Sequence, residues 1–296
     1  MVYHACLPRP LPLMAKDKKK DKKKSKKKDE QQDSGGAAGA SKAKKRFLNL
    51  IGKQEEKRGF LVAFDGPDGS GKTTQRKLFA SWLESEGYEV AAAKWSSSPL
   101  VKPLIKARKK AHSLSPEEFA LLQAADFRYN MDTQILPALW DGKMVVADQY
   151  LFTSLARDAA RGLKLNWLLN LYAPLLWPDM VFYFAVSPET SGKRIAGKKK
   201  GPKYYDAGQD ITNIEDPLES YKQFVSRIVQ EYEALSVIFQ FVKVDAEKTI
   251  YEQHRQIRQA YEKRERRPWA EWNSEVLADW LERREHIAEV QESARG

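Results

Sequence analysis

The chain has 296 residues, 42% of them apolar, enough to bury one large core or two small ones. No stretch approaches the roughly 20 consecutive apolar residues that a membrane span requires. Cys6 is the single cysteine, which excludes an internal disulfide framework or a Cys-rich metal centre and points to a reducing, cytoplasmic setting. His4, His112, His254 and His286 are scattered without ligand spacing. The formal net charge of +11 is not spread over the chain: residues 1–58 hold 18 Lys and Arg against 7 Asp and Glu, whereas residues 59–296 hold 33 of each. The nucleic-acid signal suggested by the total therefore belongs to one end, and the body is neutral.

The first 13 residues lack the apolar stretch and small-residue cleavage site of a secretory signal, and Met14, just before the basic run, is an alternative start. Residues 15–46 are of low complexity, with lysines running from Lys16 to Lys28 and no large apolar side chain between Met14 and Phe47. Nothing there offsets the entropy of ordering, so a disordered basic N-terminal tail over 1–58 is expected, with at most weak attraction to anionic polymers. From Arg58 onward apolar runs alternate with helical patterns. Strands are expected at 60–65, 89–94, 143–148, 180–186 and 238–245. Helices are expected at 72–86, 100–112, 116–139, 151–161, 164–173, 188–197, 216–236 and 249–265. Ser115 before Pro116, Glu117 and Glu118 is a strong helix start. This alternation implies an α/β body over 59–265, with a five-stranded parallel sheet covered on both faces. Over 266–296, Trp269, Trp272, Val276, Leu277, Trp280 and Leu281 recur at helical spacing and predict an amphipathic C-terminal helical extension.

The stretch from Phe60 to Thr74, FLVAFDGPDGSGKTT, carries the chemistry. A strand-length apolar run stops at Asp65, and Gly66, four residues, Gly71, Lys72 and Thr73 complete a phosphate-binding loop that leads into a helix. Glycines let backbone N–H groups turn inward and approach phosphate oxygens, and the positive end of the helix faces the same charge. Gly66, Asp68, Gly69, Ser70, Gly71, Lys72, Thr73 and Thr74 form this loop, with Lys72 on the β/γ-phosphates and the Thr73 hydroxyl on magnesium. The third strand ends at Asp148, where its carboxylate stands beside the loop as the second metal group. Lys193, Arg194, Lys198, Lys199, Lys200 and Lys203, around Gly197, Gly201 and Pro202, read as a cationic lid that closes over a transferring phosphoryl group.

Taken together, several segments resemble the thymidylate kinase family over about residues 59–262. They are Gly66 to Gln75, Pro137-Ala138-Leu139 with Gly142 before Val145-Val146-Ala147-Asp148-Gln149-Tyr150, and Ser187-Pro188-Glu189 leading to Arg194. Asp216, Glu219, Tyr232 and Val244-Asp245-Ala246 complete the set. The resemblance implies a three-layer P-loop kinase fold, ATP and Mg2+, a mobile lid, a nucleotide substrate and a homodimer. It carries Lys72, Thr73, Asp148 and Arg194 over to catalysis and metal binding, and Asp68 to the acceptor sugar. The acceptor side departs from the family. Its Asp-Arg-Tyr/His reads Asp148-Gln149-Tyr150, its Phe-Arg-Glu-Pro reads Trp95-Ser96-Ser97-Ser98-Pro99 after Lys94, and its Ser-x-Ala-Tyr-Gln reads Ser154-Leu155-Ala156-Arg157-Asp158. On the helix that faces the base, Phe119, Gln123, Phe127 and Arg128 are available, with either Phe127 or Arg128 in the base-reading place. Arg157 beside Asp158 gives and takes hydrogen bonds as a guanine or cytosine edge requires. The expectation is ATP- and Mg2+-dependent phosphoryl transfer to dTMP or a related monophosphate. The alternative, prompted by the missing arginines, is an ATP-binding switch with little turnover.

Overall fold

The computed structural model describes residues 58–173, 175–197 and 201–264. The basic tail, the C-terminal extension and Lys198 to Lys200 of the expected lid lie outside the described residues. Five strands, β1 (Phe60–Asp65), β2 (Val90–Lys94), β3 (Met144–Asp148), β4 (Met180–Ala185) and β5 (Val242–Asp245), form one all-parallel sheet in the order β2-β3-β1-β4-β5. From β1 the chain therefore passes to the edge strand β2 and returns to β3 beside β1, then crosses to the other side of β1 and moves outward through β4 and β5. The crevice beyond the carboxyl end of β1 is the place where such sheets bind ligands.

Alternate residues of the strands enter two different cores, as the period of two requires. Leu61, Ala63, Val145, Ala147, Val181 and Tyr183 face one side, and Phe60, Val62, Phe64, Met144, Val146, Phe182 and Phe184 the other. The second face is covered by α1 (Lys72–Ser85) and, at the end of the described chain, by α11 (Ile250–Glu262), through Phe79, Leu83, Ile257 and Tyr261. The first is covered by α3 (Pro116–Asn130), α5 (Leu151–Ala159), α6 (Leu165–Tyr172) and α10 (Pro217–Ile238), through Phe127, Leu155, Leu168, Phe224 and Tyr232. The result is three layers. Ser115 caps α3 in a reciprocal capping box with Glu118, as its sequence implies. The start of β1 is pinned to that of β4 by buried Arg58, which donates to both Asp179 oxygens at 2.7 and 2.6 Å, while Asp179 Oδ2 accepts from Leu61 N at 2.8 Å. No helix among the described residues is long and apolar enough to cross a membrane.

Three elements differ from expectation. The helix expected over 116–139 is interrupted by a wider π turn at Met131–Ile135 before α4 (Leu136–Trp140). Pro137 lacks an N–H, and its ring excludes the carbonyl four residues earlier; the wider turn absorbs this. Strand five starts at Val242 rather than 238 because α10 runs on to Ile238, and Phe239 and Phe241 instead pack on Phe152, with ring centroids 5.1 and 4.6 Å away. Between α7 (Pro188–Ala196) and α10 the chain forms two unexpected short helices, α8 (Tyr204–Ala207) and α9 (Gln209–Thr212). The first lies against α2 (Lys102–Lys110) and α3, where Tyr205 packs with Ile105 and Phe119 and accepts from Leu114 N at 2.8 Å.

Candidate active site

The loop after β1 has the geometry of an anion cradle. Gly66 has φ 143°, and a Cβ there would lie 2.9 Å from the Phe184 carbonyl oxygen, so only glycine permits this passage. Gly71, at φ 87°, is the residue before α1; it supplies no capping side chain, and the first turn holds no acid, so the positive helix end stays open. Lys72 is buried with its Nζ donating to the Pro67 carbonyl at 3.0 Å and lying 3.6 Å from Asp68 Oδ1. Behind the loop, Ser191 Oγ and Tyr221 OH both donate to the Asp68 carbonyl, at 2.6 and 2.9 Å. From α7 the Arg194 guanidinium reaches the Gly69 carbonyl at 3.1 Å and the Ala246 carbonyl at 3.0 Å. The loop is thus held from outside, and its inner face is left for a ligand.

Parallel pairing of β1 and β3 sets Phe64 opposite Asp148 and so brings the third strand's end to the loop. Thr73 Oγ1 donates to Asp148 Oδ1 at 3.2 Å, and Arg76 Nε lies 3.7 Å from the other carboxylate oxygen. A hydroxyl and a carboxylate make an all-oxygen donor pair of the kind Mg2+ takes, and such a site normally completes its shell with water and phosphate oxygens. Asp65, at the end of β1, is wholly buried; Thr153 Oγ1 donates to it, as do Tyr232 OH at 3.3 Å and Tyr150 N at 3.4 Å. Burial pushes its carboxyl up to about 6, against these hydrogen bonds and the charge of Lys72.

Beside the loop opens a cavity of about 640 Å³. Asp68, Gln149, Thr153 and Arg157 form its floor near the loop, and Trp95, Phe119, Gln123 and Tyr205 line its apolar side. Arg157 donates to Asp68 Oδ2 at 2.9 Å and to Asp206 Oδ1 at 3.4 Å, and Lys109 meets the same Asp206 oxygen at 3.2 Å. Burial draws the Lys109 ammonium below its ordinary value, with Asp206 opposing that shift. This part of the cavity therefore carries cations that its own carboxylates hold in place. The size and the mixture of aromatic, amide and charged groups suit a nucleotide-sized ligand.

Comparison with known proteins agrees with this geometry. The family model described as thymidylate kinase matches residues 64–257. The chain belongs to the thymidylate kinase family. It is 38% identical over 180 residues to the probable thymidylate kinase 2 of Saccharolobus solfataricus, covering 60% of this chain and 84% of that one. It is 32% identical over 209 residues to the probable thymidylate kinase of Thermococcus gammatolerans, covering 67% and 94%. The probable thymidylate kinase of Pyrococcus horikoshii is 42% identical over 146 residues, covering 47% and 70%.

Against the thymidylate kinase pattern, the structure gathers Gly66, Asp68, Gly69, Ser70, Gly71, Lys72, Thr73, Thr74, Asp148 and Arg194 at one loop, and brings Gln123, Gln149 and Arg157 to the cavity. Four expected substrate residues stand elsewhere. Phe127 is buried between Trp95 and Tyr150, with ring centroids 5.8 and 5.1 Å away, because α3 has by then passed from the cavity wall into the core. Arg128 points outward to Asp132 at 3.3 Å. Tyr150 is buried and donates to the Leu176 carbonyl at 2.8 Å. Asp158, one position round α5 from Arg157, is turned into the interior and does not line the cavity. Arg157 and Asp158 consequently do not form the side-by-side base reader. Sequence reasoning missed Arg76, Lys109, Asp206 and the Asp65 network. Of these, only Arg76 had a local signal, four residues from Lys72 on one helical face.

Proposed function

We propose that the protein transfers the γ-phosphoryl group of ATP, with Mg2+, to the 5′-phosphate of a nucleotide, with dTMP favoured among the nucleoside monophosphates. The carrying observation is the Thr73–Asp148 pair and Lys72 at a glycine cradle that opens onto the cavity beside it. The loop amides and Lys72 grip the donor's phosphates, and Thr73 and Asp148 offer oxygens to Mg2+, which when bound neutralises charge on the donor phosphates. Arg157 and Lys109, held in place by Asp68 and Asp206, orient the acceptor phosphate, standing in for the family arginines absent at Ser96 and Gln149. The attacking acceptor oxygen is already a phosphate oxyanion, so no protein group has to remove a proton. The side-chain amide of Gln123, whose Oε1 is buried without a hydrogen-bond partner among the described residues, faces the base; an amide satisfies thymine's alternating acceptors and donor.

The switch reading is not favoured, because the donor groups and the acceptor cavity adjoin and the relatives are named as kinases. Homodimerisation, a cytoplasmic location and weak binding of anionic polymers by the Lys-rich tail complete the proposal; they rest on the family and on the tail's charge. A coupled ADP-release screen over all nucleoside and deoxynucleoside monophosphates tests it. Mg2+-dependent release stimulated most by dTMP is expected, and ATP binding without release for any monophosphate rejects the proposal.

A further inference from the structure

One wall of the cavity is more cationic than a monophosphate needs. Helix α2 presents Lys102, Lys106, Lys109 and Lys110 to it, at i, i+4, i+7 and i+8, on one helical face. At 1.5 Å rise per residue, the row from Lys102 to Lys110 extends about 12 Å, longer than one phosphate group. Lys203 adds a further cation from the segment before α8. The two carboxylates in the same wall, Asp68 and Asp206, are already engaged by Arg157 at 2.9 Å and Lys109 at 3.2 Å. Lys102 stands close enough to Asp126 to lower that carboxyl's affinity for its proton, but Lys106, Lys110 and Lys203 form no ion pair among the described residues.

Lysines four apart repel each other along a helix, so the row is kept against a local penalty that a bound polyanion would remove. Beyond its end, His112 stacks on Tyr204 with centroids 4.0 Å and planes 10° apart, and both rings belong to the cavity wall. A line of cations beside flat rings follows a nucleotide backbone better than it follows a single phosphate.

Building on the kinase reading above, we propose that the acceptor carries a second phosphate beyond its 5′-phosphate. This is either a nucleoside 3′,5′-bisphosphate or the 5′-phosphorylated end of a single strand, whose first phosphodiester supplies the second charge. The 5′-phosphate oxygen attacks the γ-phosphorus of ATP, and the new P–O bond forms as the bond to the β–γ bridging oxygen breaks. ADP leaves with that oxygen; the acceptor becomes a 5′-diphosphate, and its second phosphate is unchanged.

The test compares ADP release with dTMP, thymidine 3′,5′-bisphosphate and the dinucleotide pdTpdT, for the full-length protein and a Lys106→Ala/Lys110→Ala variant. Both replaced lysines are exposed, and an unchanged melting temperature confirms that the variant folds. The expected kcat/KM is at least about tenfold higher for the bisphosphate or the dinucleotide than for dTMP. That preference should shrink as salt rises and fall to near parity in the variant. Which of the two acceptors gains tells the free nucleotide from the strand end. Equal use of all three, or a preference that survives in the variant, overturns the inference while leaving the kinase reading intact. No turnover of any of them, dTMP included, overturns both.

Discussion

Replacing Asp158 separates its structural role from a role in reading the base. Its carboxyl is buried in α5, and Oδ2 has no hydrogen-bond partner among the described residues. Burial pushes its pKa from 3.8 to about 7, against the pull of Arg161 and Arg157 and with a small push from Asp210. Because the folded chain holds this proton more tightly than the unfolded chain, the stability linked to it is complete below about pH 4. It is lost progressively as pH rises from there through 7. At 1.36 kcal/mol per pKa unit, the penalty above pH 7 reaches about 4 kcal/mol. Asp158→Asn keeps the shape and removes the charge. Urea unfolding at pH 8, 6 and 4.5 should show the variant more stable by up to about 4 kcal/mol at pH 8, with the gain shrinking at each lower pH. Its ranking of nucleotide acceptors should match wild type. Equal stability at pH 8, or a changed base preference, would refute this placement of the carboxyl.

Three other outcomes follow from the geometry. Gly66→Ala, which sets a Cβ 2.9 Å from the Phe184 carbonyl oxygen, should lower stability by about 2 kcal/mol or more and abolish ATP binding, measured by melting and titration calorimetry. Gly71→Ala meets no atom within 4 Å and should lose only the roughly 1–2 kcal/mol of its left-handed backbone. Arg58→Ala leaves the buried Asp179 carboxylate without its ion-pair partner and should destabilise by about 3–5 kcal/mol in urea unfolding, with KM for ATP unchanged in the folded fraction.

The sequence revealed the donor half of the site because that half is local. A strand, a glycine turn and a helix follow one another without interruption, and Asp148 needs only parallel pairing to arrive. The acceptor half depends on which sides of α3 and α5 face the cavity, and tertiary packing decides that. Phe119 and Gln123 line the cavity while Phe127, on the same helix, lies in the core against Trp95 and Tyr150. On α5, Arg157 and Asp158 are neighbours in sequence and point to different environments. Strand edges were clear where a polar residue closes an apolar run, as at Asp65. They were misplaced at Ile238 to Phe241, where apolar residues close a helix and then turn into an aromatic cluster. The ion chain from Asp68 through Arg157 and Asp206 to Lys109 joins four separate elements and carries no spacing signal.

The most direct measurement is transfer of labelled γ-phosphate from ATP to dTMP by the wild-type protein and by Lys72→Ala, each with and without Mg2+. Labelled dTDP should form only with Mg2+, and Lys72→Ala should form it on the order of 100-fold more slowly or worse, since Lys72 grips charge that builds in the transition state. Wild-type turnover by Lys72→Ala, or product formed equally well without Mg2+, would contradict the account.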